Sequence, residues 1–449
     1  MKVKLTSFFI LAALLVTTIS LLAYRKVLSN NSIEEQEVIG NNYDKLTGKK
    51  VFLGEQTQEL QGAWGNLELT PFIIVPTEDF LVQETYMNDE YRMFASSSQW
   101  IFKTLSLDKI RSLFITAGLD NEVCDELLAN TKADKDGIGF IITPPDEILW
   151  SLTAENRANL YPLIGKYSDN TMYNSPLYYG STNSDEWFYN SGLREDLLEK
   201  LKKLVYVKNG MSYISDIHLI LPLLNSDGEK ITLLQLLYRT KALEVKLKIK
   251  GGQDVSKLVD YWARFERRKL IEPVLEGLSQ LPGGGEIDIS ELLPQIPQSR
   301  LNTFSSLEEF ETDFKDCHWT TINFFNAEAD ESYYELDDLF SVINRISEPA
   351  GNSSPAFGDV ISIFNGNNEL THSCTYIADN LVLTKNGMGN LHPFVITYLD
   401  KTVPLYGDKT LYLSRTIGDT HSIDLSTDIY KETVSSNKAV PEKMAQDFR

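Results

Sequence analysis

Cys317 lies in the run Phe314-Lys-Asp316-Cys317-His318-Trp319-Thr-Thr-Ile322-Asn-Phe-Phe325. Aspartate is a good helix cap, so the run predicts a helix beginning at Cys317, with Trp319, Ile322 and Phe325 on related faces. A thiol in a first helical turn feels exposed N–H groups and the positive end of the macrodipole, which favours the nucleophilic thiolate. Further on, Thr371-His372-Ser-Cys374-Thr-Tyr376-Ile377 reads as a strand. The two-residue period puts His372, Cys374 and Tyr376 on one face. Thr384 and Asn386 share a face of the next strand, where either could stand beside His372. A helix-start cysteine, a strand histidine and a polar neighbour make a thiol-hydrolase constellation: the base takes the thiol proton and the third group orients the imidazole.

Other chemistries use the same residues. Cys317-His318 and His372-x-Cys374 supply four donors of the kind tetrahedral zinc takes. Adjacent residues at a helix start rarely aim at one ion, and Cys-x-x-Cys knuckles are absent, so no metal and no organic cofactor is expected. A Cys317–Cys374 disulfide would switch the thiol off. The third cysteine, Cys124, reads as a small buried hydrophobe. His218, His392 (before Pro393) and His421 read as local structure, and Lys385-Asn386-Gly387 as a strand-ending turn in its simpler reading. Asp134-Lys-Asp136-Gly137 resembles half a calcium loop, but Lys132 and Thr143 hold the positions where the first and last oxygen donors belong, so a turn is expected.

The elements that must position these groups are readable. Phe357-Gly358-Asp359-Val360-Ile-Ser-Ile-Phe364, the histidine run and Leu381-Val-Leu-Thr384-Lys385 are three strands joined by Asn365-Gly-Asn-Asn and Ala378-Asp-Asn turns, an antiparallel meander. The order of cysteine helix, Gly-Asp-Val-Ile strand and His-x-x-x-Tyr-Ile strand resembles the NlpC/P60 branch of papain-like cysteine hydrolases. The resemblance implies Cys317 as nucleophile and His372 as base. It places the third residue twelve positions after the histidine, on Thr384, where His, Asn or Gln is usual; Asn386 is the substitute on the same face. The small residues usual after the cysteine are replaced by His318-Trp319. The likeness covers roughly the segment from Phe304 to Tyr406. From about Thr143 onward the chain also resembles a group of bacterial proteins that carries no assigned reaction, with Asp-Cys-His-Trp and Leu-Thr-Lys-Asn-Gly as hallmarks.

The whole chain of 449 residues carries 42 Lys+Arg against 63 Asp+Glu, a net charge of −21. That acidity argues against nucleic-acid partners, which need a basic surface. Met1–Lys4 carries two lysines, and an apolar run from Leu5 to Ala23 follows, closed by Arg25-Lys26. It reads as an export signal, with an uncleaved membrane anchor ahead of a cleaved peptide. The expected organisation is α+β: residues 1–28 signal or anchor, 29–63 polar tether, 64–282 a mainly helical region, 283–300 a Gly/Pro linker, and 301–449 a papain-like domain with a cysteine-bearing helix packed on an antiparallel sheet. The expected protein is exported: membrane-anchored with its bulk outside the cytoplasm, or secreted or periplasmic. Its expected substrate is a peptide or acyl compound, peptidoglycan peptides first and lipid amides or esters second; acyl transfer by the same fold, a catalytically silent binding domain and an envelope scaffold are the alternatives. The oligomeric state is not readable.

Overall fold

The computed structural model describes residues 48–418 apart from 55, 56, 83, 136, 138, 307–314, 332–338, 388, 407 and 408. The apolar run Leu5–Ala23, most of the tether and His421 lie outside the described residues. Among the described residues no helix is long and apolar enough to cross a membrane.

Strand pairing starts within the segment expected to be a tether. β1 (Lys49–Phe52) and β2 (Gln58–Gly62) both lie antiparallel to β3 (Gly65–Val75). Two three-stranded sheets follow. The first has β4 (Trp100–Phe102), β5 (Thr131–Ala133) and β6 (Phe140–Ile142). The second has β7 (Leu177–Tyr179), β8 (Tyr206–Lys208) and β9 (Met211–Ile214). β10 (Thr240–Ile249) then pairs along β3, and β11 (Gly285–Asp288) closes the first sheet on the β10 edge. Leu243, Val245, Leu247 and Ile249 of β10 are buried, while Glu244, Lys246 and Lys248 are not, as period-two alternation requires.

The region from 64 to 282 therefore holds strands as well as helices, with most of its regular structure helical. Ser98–Ala117, with apolar residues at helical spacing, holds two elements, β4 and a helix Leu107–Thr116 capped by Ser106. A three-residue apolar strand is too short for periodicity to separate from the helix that follows. Other signals hold. The helix Ala154–Ile164 opens on Thr153 with a capping box completed by Asn156.

The expected linker is also corrected. Leu281-Pro-Gly-Gly-Gly285 is a tight turn into β11. Residues 289–300 continue as short helical turns that bury Ile289, Leu292, Pro297 and Arg300. The charged stretch Asp254–Glu276 is likewise broken. The helix Ser256–Trp262 ends before Phe265, which has φ 55° and an exposed ring, and a second helix runs Arg268–Gln280.

The last sheet holds β12 (Ser347–Pro349), β13 (Val360–Asn365), β14 (Leu370–Ala378), β15 (Leu381–Lys385), β16 (Phe394–Tyr398) and β17 (Lys409–Thr416). Their spatial order is β12-β17-β13-β14-β15-β16, all antiparallel. The meander read in the sequence is β13-β14-β15. One apolar core serves both large sheets: Leu67, Leu247, Trp262 and Leu275 pack in the same cluster as Phe357, Ile377, Leu381 and Ile396. The fold class is α+β.

Candidate functional site

The cap expected at Asp316 is present. Its Oδ1 accepts the N–H groups of His318 and Trp319, each at 2.9 Å, and the helix Cys317–Ile322 follows. All six of its residues are buried, and it lies against β14 and β15. His318 Nδ1 is 2.9 Å from Ser373 Oγ, and Trp319 Nε1 donates to Glu331 Oε2 at 2.7 Å. The approach to the helix is pinned by Lys385. Its buried Nζ donates to Lys315 O at 2.8 Å and Ser305 Oγ at 3.1 Å, so this residue does more than end a strand.

His372 is fully buried on β14, with Nε2 2.9 Å from Thr384 Oγ1. Thr384 Oγ1 in turn lies 3.5 Å from Asn386 Oδ1, and Asn386 Nδ2 lies 3.5 Å from Thr402 Oγ1. In the tautomer with the proton on Nε2, donation runs from His372 to Thr384 and on to Asn386 Oδ1, so that Thr384 orients the ring and Asn386 backs it. Position 384, twelve residues after the histidine, is thus the one in contact.

Cys317 and His372 approach β14 differently. His318 reaches Ser373, which by alternation projects to the opposite face from His372 and Cys374. Cys317 itself lies against the Ser373 backbone N–H. The ladder between β14 and β15 starts at Thr375 and Leu383, beyond this point. Tyr406 joins the two groups. Its ring stacks on His372 with centroids 4.1 Å apart, and its hydroxyl is raised by burial first and then by the nearby Cys317. No hydrogen bond joins Cys317 to His372 among the described residues.

Burial opposes the thiolate expected from the helix start. Cys317 is 7% exposed, and desolvation, reinforced by the neighbouring Asp316 carboxylate, pushes its thiol well above the usual range. The Ser373 and Cys317 N–H groups pull the other way and lose. Cys317, Cys374 and Cys124 are all buried free thiols, so no disulfide is formed. Among the described residues the donors that converge are Asp316, Cys317 and His318, within 4.8 Å of one another; His372 and Cys374 are not in that cluster. Within this set Asp316 Oδ1 accepts two N–H groups and His318 Nδ1 meets Ser373 Oγ.

Two supports were not read in the sequence. Asp359 is fully buried and receives Arg264 Nη1 at 2.7 Å and Arg415 Nε at 3.1 Å, with the Ala356 N–H at 2.9 Å. Arg264 also donates to Phe357 O and Thr416 O, tying the helical segment after β10 to the last sheet. Gly358 before it has φ 83°, and a Cβ there would clash with the Phe325 ring. The second support is Tyr178 of β7, from the Tyr/Asn-rich stretch. It donates to Asn386 O at 3.1 Å and lies parallel to the His392 ring. The signal for Tyr178 was aromatic density alone. Burial pushes His392 down to about 4, and His218 Nδ1 is 2.7 Å from Ser97 Oγ.

Compared with known proteins, the chain matches no family model, no curated protein and no solved structure.

Proposed function

We propose that the last sheet and its cysteine helix form a papain-like acyl-transfer site of the NlpC/P60 kind. Cys317 is the nucleophile, His372 the base and Thr384 the residue that orients it. The observation that carries this is the 2.9 Å contact from His372 Nε2 to Thr384 Oγ1, on the strand that the cysteine helix packs against. With Nε2–H donating to Thr384, Nδ1 is the nitrogen that takes the thiol proton. Sulfur then attacks an amide or ester carbonyl, and His372 returns the proton to the departing amine or alcohol. Water hydrolyses the thioester, with His372 again taking and returning a proton. Asp316 takes the N–H groups of His318 and Trp319 and leaves that of Cys317 for the oxyanion. The apolar run Leu5–Ala23 favours an exported or membrane-anchored protein, for which cell-wall peptides are the first substrate class and lipid amides or esters the second.

A second reading, a catalytically silent binding domain, is favoured by one observation: the Cys317 thiol is buried and held protonated. The pH profile of iodoacetamide alkylation, read per cysteine by mass spectrometry, separates the two. A thiolate–imidazole pair gives Cys317 an apparent pKa well below the free value of about 8.5, and His372→Ala raises it. A profile at or above the free-thiol value that ignores His372→Ala selects the binding domain.

A further inference from the structure

The candidate site is shut, and its cover is thin. Cys317 is 7% exposed, and His372 and Thr384 are fully buried. Against His372 lies the 3₁₀ turn Val403–Tyr406, whose four residues are half-buried. Tyr406 lies nearly parallel to His372, with planes tilted by 20°. No hydrogen bond holds the Tyr406 hydroxyl among the described residues, so stacking and the packing of Val403 on the Cys374 and Tyr376 cluster keep the turn in place. The turn hangs from the four-residue helix Leu399–Thr402, whose Thr402 hydroxyl donates to Tyr398 O at 3.2 Å. From the other side, Tyr178 approaches Tyr406 and is fixed to Asn386 O.

We propose that Val403–Tyr406, backed by Tyr178, is an autoinhibitory cover. The Tyr406 ring occupies the space a substrate needs in front of His372 and Cys317, and the turn opens locally while both large sheets stay folded. The physical asymmetry supports this: His372 and Thr384 lie in a six-stranded sheet and Cys317 on the buried helix packed against it, whereas the covering residues form one half-buried turn. The meaning of the cover rests on the thiol-hydrolase reading; its test does not.

The test is native-state alkylation of the full-length chain by iodoacetamide across low urea concentrations, with each cysteine read separately. Cys124, fully buried in the helix Asn121–Ala129, reports global unfolding. The expected result is a Cys317 rate nearly independent of urea beside a Cys124 rate that climbs steeply. Tyr406→Ala should raise the Cys317 rate about tenfold or more without moving Cys124, and Tyr406→Phe, which keeps the ring, should stay near wild type. One shared urea slope for Cys317 and Cys124, or a Cys317 rate unchanged by Tyr406→Ala, overturns the cover. Should Tyr406→Ala speed both cysteines, the wild-type slopes decide. If Tyr406→Ala exposes Cys317 but its pH profile still ignores His372→Ala, the cover stands and the hydrolase reading falls.

Discussion

The ring of Tyr406 lies 4.1 Å from that of His372, with the two planes 20° apart, while Thr384 takes the imidazole's far nitrogen at 2.9 Å. His372 is thus held by a flat apolar contact on one side and a directional bond in its own plane. Only the second depends on a hydroxyl.

Thr384→Val keeps the shape and removes that bond. Leaving a buried nitrogen without its partner should cost about 1–3 kcal/mol, read as a lowered urea midpoint, whereas Thr384→Ser should recover most of it. The same pair should move the Cys317 alkylation profile in parallel with stability if Thr384 orients the base. A profile equal to wild type in Thr384→Val would remove Thr384 from the site.

The Asp359 clamp predicts a strong coupling. Arg264→Ala leaves a buried carboxylate with one arginine, and should destabilise by about 2–4 kcal/mol in equilibrium urea unfolding. The double variant with Asp359→Ala should be less unstable than the sum of the single changes. Additive effects would show that the ion pair is incidental to the packing around Phe357.

His392 sets a pH dependence. Its folded pKa, pushed down to about 4 by burial with a smaller push from Lys385, lies below the ordinary value of 6.5. Between those values the unfolded chain binds the extra proton, so stability is full above pH 6.5 and is lost as pH falls towards 4. The loss should be roughly 1–3 kcal/mol. Thermal unfolding from pH 7 to 4 should show a shallower slope for His392→Gln than for wild type; equal slopes would assign the acid sensitivity to other groups.

A buried ionic centre in the first half gives a contrast with surface charge. Arg157 and Asp216 are both fully buried, 3.1 Å apart, with the Tyr161 and Tyr173 hydroxyls also donating to Asp216. Asp216→Asn should cost about 3 kcal/mol or more. Asp169→Asn, which removes the exposed partner of Lys103, should cost under about 1 kcal/mol.

The cysteine helix, its Asp316 cap and the three-strand meander were legible because their signals are local: a capping residue before an apolar run, period-two alternation and Asn/Gly turns. Thr384 was legible only as a spacing, and the choice between it and Asn386 turned on which side chain comes within 3 Å of His372. The burial that opposes the Cys317 thiolate was not legible, because the macrodipole is a property of its own helix whereas the burial follows from packing against β14 and β15, far along the chain. The strand β11 hid behind three glycines, since a turn and a linker have the same composition. The Asp359 clamp was hidden because its arginines come from positions 264 and 415, and sequence proximity says nothing about either.

The shared core has a consequence for inheritance. Leu247 and Trp262 pack in one cluster with Ile377 and Leu381, so the wall of the last sheet is finished by residues that precede the glycine turn. The last sheet cannot be passed to another protein as a cassette, because a cut at the glycine turn would carry away a surface whose complement stays behind. Recombination at that turn would be selected against, and the two halves should change together, a substitution at Leu247 being answered by one at Ile377 or Leu381.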